Sequence, residues 1–312
     1  MVNKKIIIKA VCLLLTTWGV LSCSKDTVEG DPEYLAENMI LAETEEGTKM
    51  FFLDHQNGTV SVTYDLRDPM HSSSGTTSQY YKGVVTIPSS IHVNGNSMQV
   101  VGITESAFMN CTQLTKLVVP STVKSIGKMA FYNCQSLEEL NIPEGVTELP
   151  EYCFSGCKAL EAITLPASIE RLKRFSFNSC NKLKQVTLPD RLTVLDDSVF
   201  YNCTGLLTAF LPETMTTLGA GSFAGCRNMI EVTLPESVVN IGAGCFCSVD
   251  ANGKSNWKNF TLNVKATVPP VLKASISNAY SRRRIVVPRG YRDAYLAAAF
   301  WNEFTQIMER NY

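Results

Sequence analysis

The sequence predicts a β-rich solenoid with a β cap at its N-terminal end and a strand-helix cap at its C-terminal end. Three interlocked ladders predict it. Proline stands at 120, 143, 166, 189, 212 and 235; cysteine at 111, 134, 157, 180, 203 and 226; phenylalanine at 108, 131, 154, 177, 200, 223 and 246. Every interval is 23 residues, without an insertion or deletion. Self-similarity at a fixed short period marks stacked units, none of which can bury its apolar face alone.

The 312-residue chain carries a formal net charge of −1, with 45% hydrophobic and 18% charged residues. That balance describes a folding chain and offers no bulk basic field for nucleic acid. Residues 1–22 are set apart. "MVNKKIIIK" is a basic start, "AVCLLLTTWGVL" is an apolar run too short for a bilayer, and "SC" closes it. The end, Val20-Leu21-Ser22-Cys23, resembles a bacterial lipobox, which implies cleavage before Cys23 and acylation of that cysteine. An ordinary signal peptide with an incidental cysteine is the alternative. Removal of residues 1–22 takes away Lys4, Lys5 and Lys9 and no acid, so the remainder carries −4. Residues 23–49, beginning "CSKDTVEGDPE", read as an acidic tether between a lipid anchor and a folded domain.

Residues 50–103 read as the N-terminal cap and first coil. "MFFLDHQNGTVSVTYDL" predicts a hairpin at Asn57-Gly58, and "SIHVNGNSMQVVGI" a second at Asn94-Gly95, both strong two-residue turn signals. "RDPMHSSSGTTSQYY" between them reads as a polar loop. Residues 104–249 are the repeat array. In each coil a short β run such as "LTKLVVP", "LEAITLP" or "LKQVTLP" ends at proline, which cannot donate to a ladder. A second short run follows, as in "STVKSIG" or "ASIERLK", and a compact turn carrying Phe and Cys closes the coil. Residues 250–312 form the C-terminal cap, with "DANGKSN" as a loop, "FTLNVKATVP" as a strand, and "RIVVPRGYRDAYLAAAFWNEF" as a strand followed by an amphipathic helix.

The pattern V-x-x-I-G-x-x-A-F-x-x-C-x-x-L-x-x-L-x-I-P, clearest from Val123 to Pro143, resembles the BspA-like leucine-rich repeats of bacterial surface proteins. The resemblance spans about residues 50–312. It implies a leucine-rich repeat solenoid and a non-enzymatic, cell-surface role, with several members thought to be adhesins for host matrix proteins or other cells. Together with the lipobox it implies anchoring in the outer membrane, exposed at the cell surface, with no membrane contact beyond the anchor.

Six cysteines one coil apart form a file. Their rungs lie roughly 5 Å apart, which permits a disulfide by distance, yet parallel Cβ vectors fit the required dihedral poorly. Zinc needs four converging ligands rather than a line. Buried packing as a small hydrophobe is the favoured reading, with an occasional disulfide as the alternative. Cys153 and Cys245 stand where Ala107 and Ala130 stand in other coils, and Cys247 fits neither register. The three histidines, His55, His71 and His92, all precede the array. No HExxH, GxSxG or GxxxxGK motif occurs, so neither catalytic residue, metal site nor cofactor is expected.

The expected binding surface is the exposed strand face. Its inner file is Val118, Asn141, Thr164, Thr187, Phe210 and Thr233; the file beside it is Lys116, Glu139, Ala162, Gln185, Thr208 and Glu231. Phe210 with Leu207 and Ile230 forms an apolar cluster of the kind that marks contact sites. A protein partner is expected ahead of a glycan, because carbohydrate sites favour aromatic platforms and this face offers little beyond Phe210.

Overall fold

In a computed structural model, the described residues are 38–44, 46–64, 81–247, 260–275 and 284–312. The export signal, Cys23, most of the tether, nearly all of the polar loop at 67–81 and the "DANGKSN" loop lie outside them.

The N-terminal cap supplies five strands of a six-stranded sheet. β1 (Met39–Glu43), β2 (Lys49–Asp54) and β3 (Thr59–Thr63) run antiparallel, joined between the last two by the Asn57-Gly58 turn. β5 (Ser90–Val93) and β6 (Asn96–Ile103) form the second hairpin. There Asn94 and Gly95 take φ of 51° and 85°, the two left-handed residues that a type I′ turn demands. β3 joins β6 in parallel, and β6 pairs in parallel with Ser125–Ile126, the sixth strand, which ties the cap to the array. The tether expected over 23–49 therefore stops short of its C-terminal end, because "MILAE" pairs along β2 and buries Ala42 in the core.

The array has three walls. The first is the strand face: β4 (Gly83–Thr86), β7 (Leu114–Val118) and β9 (Glu139–Leu140), then β12 (Gln185–Thr187), β14 (Thr208–Phe210), β16 (Glu231–Leu234), β18 (Thr261–Val264), β20 (Arg284–Pro288) and β21 (Gln306–Arg310). The second holds the two-residue strands β8 (Ser125–Ile126), β10 (Glu148–Leu149), β11 (Arg171–Leu172), β13 (Val194–Leu195), β15 (Thr217–Leu218), β17 (Asn240–Ile241) and β19 (Val271–Leu272). Pairing along both walls is parallel, and register within the array advances by 23 residues, as in Val186↔Ala209 and Leu195↔Leu218. The third wall is made of turns. The amide of each ladder phenylalanine donates to the next coil, from Phe108 to Ala130 O at 2.8 Å through Phe223 to Cys245 O at 2.9 Å.

Left-handed residues shape these turns. One file runs Ser106, Met129, Tyr152, Phe175, Ser198, Gly221 and Gly244, and the other Asn110, Asn133, Gly156, Ser179, Asn202 and Gly225. Asparagine and glycine suit such backbone; tyrosine and phenylalanine are unusual there.

The ladder phenylalanines are fully buried and stack along the axis with centroids 5.0–5.6 Å apart. Tyr81 extends the stack into the first coil and Phe260 into the C-terminal cap.

Two expectations are corrected. In the fourth coil "LEAITLP" forms no strand, so the strand face divides into a three-stranded and a six-stranded sheet. Just before the gap the Asn141 side-chain amide, rather than backbone, meets the Val119 N–H (2.9 Å) and the Val119 C=O (2.7 Å) at the end of β9, and in the coil that follows Ala162 is a poor strand former. At the C-terminal end the helix is short, α1 (Arg292–Ala297), and Ala298 is extended at its end. The chain turns through a left-handed Phe300 into a 3₁₀ turn (Trp301–Glu303) that buries Trp301, whose Nε1 donates to Pro270 O at 2.7 Å. It then adds β21, a strand absent from the sequence reading, beside β20.

Phe177 sits between Phe154 and Phe200 at 5.3 Å on either side. Phe177→Ala is expected to cost about 3–5 kcal/mol as a core truncation, and Cys180→Ala about 1 kcal/mol. Urea unfolding of the two variants checks the ranking; the reverse order would contradict the packing account.

Candidate functional site

The cysteine file is interior. Cys111, Cys134, Cys157, Cys180, Cys203 and Cys226 are fully buried, and the nine cysteines among the described residues are all free thiols. Packing is only half of their role. Each ladder thiol from Cys134 onward donates to the phenylalanine carbonyl of the coil before it: Cys134 to Phe108 O at 3.0 Å, Cys157 to Phe131 O at 3.2 Å, Cys180 to Phe154 O at 3.2 Å, Cys203 to Phe177 O at 3.0 Å, and Cys226 to Phe200 O at 3.2 Å. Alanine fills the space without the donor. Burial pushes the thiols of Cys134, Cys153, Cys157, Cys180 and Cys226 above the ordinary range and that of Cys245 up to about 12. Nucleophilic chemistry needs the opposite shift. No group of three or more His, Cys, Asp or Glu among the described residues is placed to hold a metal ion. His55 and His92 both lie in the N-terminal cap, where His55 Nε2 pairs with Ser61 Oγ at 2.8 Å.

The strand face has two unlike halves. In its N-terminal half Lys116 pairs with Glu139 at 2.5 Å, and Glu161 lies 3.1 Å from Lys184 and 3.5 Å from Lys182. The Lys184 ammonium foremost holds the Glu161 carboxyl below its usual range. These charges neutralise one another. Around the gap in the ladder a shallow groove of about 700 Å³ runs between Lys116, Glu139, Asn141, Glu161 and Thr164. Asn141 is exposed, yet its amide is committed to Val119.

The C-terminal half is apolar. Phe210 is 53% exposed and Leu207 39% on one coil, and Ile230 is 55% exposed on the next. The backbone places them together: Leu207 N donates to Lys184 O and Ile230 N to Leu207 O, both at 2.8 Å. A groove of about 330 Å³ lies beside Phe210, walled by Thr208, Glu231, Thr233 and the ion pair of Glu213 with Lys265 at 2.6 Å. Val118, Thr164 and Thr187 are exposed along the same file, and Thr233 is half-buried.

Sequence reasoning passed over two features. The Glu213–Lys265 pair spans 52 positions and joins the array to the cap, so no repeat register announces it. On the turn wall, Tyr152 and Phe175 stack at 5.0 Å, Tyr201 meets Phe175 edge-on at 6.2 Å, and the Arg174 guanidinium lies 4.9 Å over the Phe175 ring. This stripe was legible only as three aromatics in two different repeat positions.

The BspA type leucine rich repeat region family matches the chain in six copies over residues 101–228 and 203–266, together more than half of its length. Among solved structures, the chain is similar to a leucine-rich repeat protein from Bacteroides ovatus, at 24% identity and TM-score 0.57, over 84% of this chain and 75% of that one. A leucine rich repeat protein from T. pallidum is 28% identical with TM-score 0.52, over 68% and 86% respectively. A leucine rich cell surface protein from Faecalibacterium prausnitzii shares 16% identity with TM-score 0.55, over 88% and 95%. No curated protein matches the chain.

The raised thiols make alkaline stability a test. An acid whose folded pKa lies above its unfolded value, here 9.0, contributes stability that is full below pH 9 and drains away as pH rises through the folded value. The urea midpoint should therefore fall between pH 8 and about pH 11, and Cys157→Ala should flatten that fall. In the native protein at pH 8, alkylation read by mass spectrometry should label Cys247, the one described cysteine that is not fully enclosed, and spare the ladder.

Proposed function

Because the chain belongs to the BspA-type leucine-rich repeat family, we propose that it is a non-enzymatic surface lipoprotein that binds another protein through its strand face. The reading has three supports: a family of leucine-rich repeat surface proteins, a lipobox at Cys23, and an apolar cluster on an otherwise polar wall. The single observation that carries the binding reading is the exposed set Leu207, Phe210 and Ile230. Three large apolar side chains on two adjacent coils have no stabilising role in water, and exposed apolar clusters of this kind mark contact sites. The partner is a host matrix protein or a cell-surface protein, and acylation of Cys23 would hold the solenoid at the outer membrane, facing outward. No helix among the described residues is long and apolar enough to cross a membrane, so the lipid is the proposed means of attachment.

A glycan-binding role in nutrient capture is the second reading, and the Tyr152–Phe175–Tyr201 stripe is the observation that favours it. Sugars stack on ring faces. Here Tyr152 and Phe175 cover each other's faces, and Arg174 covers more of Phe175, so the stripe offers mainly edges. Protein binding stays ahead.

The test is a parallel screen of residues 24–312 against matrix proteins and a glycan array. Protein binding is expected, and Phe210→Asp should weaken it at least about tenfold with an unchanged circular dichroism spectrum. Binding to glycans alone would reverse the order of the two readings, and a folded Phe210→Asp variant with undiminished binding would remove the cluster from the interface.

A further inference from the structure

Building on the strand-face reading above, we infer the chemistry of the segment that fills the Phe210 cluster: an extended stretch of a partner protein presenting an arginine, with an apolar side chain two residues to either side of it.

The cluster encloses one charge. Along the strand direction Leu207 and Ile230 stand first, Thr208 and Glu231 follow, and Phe210 and Thr233 come next. β16 turns Val232 and Leu234 inward and Glu231 outward, so this carboxylate lies between the two apolar groups and lines the groove beside Phe210. Its ladder neighbours, Thr208 and Thr261, carry no charge. No cation lies within 4.0 Å of it among the described residues. Asn263 Nδ2 donates to its Oε2 at 3.5 Å, at the outer limit of a hydrogen bond. The other two charged walls of the groove, Glu213 and Lys265, neutralise each other at 2.6 Å, and Arg284 stands two strands away with Thr261 between. One negative charge is therefore left uncompensated. In the N-terminal half, by contrast, Glu139 has Lys116 and Glu161 has two lysines.

A carboxylate set between apolar side chains favours a cation set between apolar side chains. A neutral apolar segment laid on the cluster would strip water from Glu231 and return nothing, and an acidic one would meet repulsion. Arginine suits the place better than lysine. Its guanidinium is weakly hydrated, gives two parallel N–H···O bonds to a carboxylate, and packs flat on an aromatic face. Phe210 supplies that face. It sits diagonally from Glu231, one strand across and two residues along, a backbone separation of about 8 Å that one long side chain bridges. The Phe175 ring is covered by Tyr152 and Arg174, whereas Phe210 meets no other ring or cation among the described residues. An extended segment puts every second side chain on one face at about 7 Å intervals. With the arginine at Glu231, its apolar neighbours on that face reach Leu207 and Ile230 at one end and Phe210 and Leu211 at the other.

A random peptide library displayed on phage and selected on the full chain tests the inference. The selected peptides should share an arginine with an apolar residue two positions to either side. In the synthetic peptide, exchanging that arginine for citrulline, its neutral isostere, should weaken binding at least about tenfold by fluorescence anisotropy. Glu231→Gln, an exposed change that keeps an acceptor for Asn263 Nδ2, should erase the difference between the two peptides, and Glu231→Arg should select acidic peptides instead. A consensus without arginine, or an arginine preference that survives Glu231→Gln, overturns the inference; if those peptides are still lost on Phe210→Asp, the strand-face reading stands without it. Peptides that bind Phe210→Asp as well as they bind the parent overturn both, and a library that yields no binder overturns the inference.

Discussion

Neighbouring coils share hydrogen bonds on all three walls, and the rest of the molecule depends on keeping those walls in step. One extra residue in any wall would displace the next strand by one position and turn its side chains to the opposite face. The strict 23-residue interval is the sequence record of that constraint. Within it, phenylalanine and cysteine act as one device. The phenylalanine amide reaches forward to the next coil, while its carbonyl receives both the cysteine amide of its own coil and the thiol of the next, as Phe154 O does from Cys157 N at 3.1 Å and Cys180 Sγ at 3.2 Å. A side chain that is small, apolar and still able to donate a weak hydrogen bond suits this position better than alanine or leucine.

What repetition imposes was legible in the sequence. The ladders gave the solenoid, and the exposure of Leu207, Phe210 and Ile230 followed from their places between buried leucines. The hairpin at Asn94-Gly95 followed from its two-residue turn, whose backbone requirement is local; the one at Asn57-Gly58 closes over the longer loop 55–58, with Gln56 and Gly58 left-handed. Illegible parts depend on single residues that break the average. In "LEAITLP" only Ala162 sets the segment apart, and one coil earlier the Asn141 side chain accepts from Val119 N–H where, further along, the Phe210 backbone carbonyl accepts from Leu188 N–H. The terminal "QIMER" is too short and too polar to signal a strand by pattern; β20 recruits it. The alanines after Tyr295 favour helix, whereas the gain from burying Trp301 bends the chain away after Ala297.

The division of the strand face has a plain origin. Interior positions are set by packing, whereas the file from Lys116 to Glu231 is free to vary, and in this chain two of its three charged members, Lys116 and Glu139, fall in the early coils. There they find partners one turn of the solenoid away, as Lys116 finds Glu139. Exposed pairs of this kind add little stability, but they leave few unpaired charges for a ligand to meet. The later coils carry threonine and large apolar side chains instead, and desolvating them costs little.

The even phenylalanine stack also acts on the chain's length. Since each ring meets only the ring above and the ring below, a coil removed whole would bring together two rings that already fit one another. A fragment of a coil would bring together surfaces that do not. Inheritance can therefore lengthen or shorten this array by whole coils at little structural risk, and the length of the strand face is quantised in the same unit.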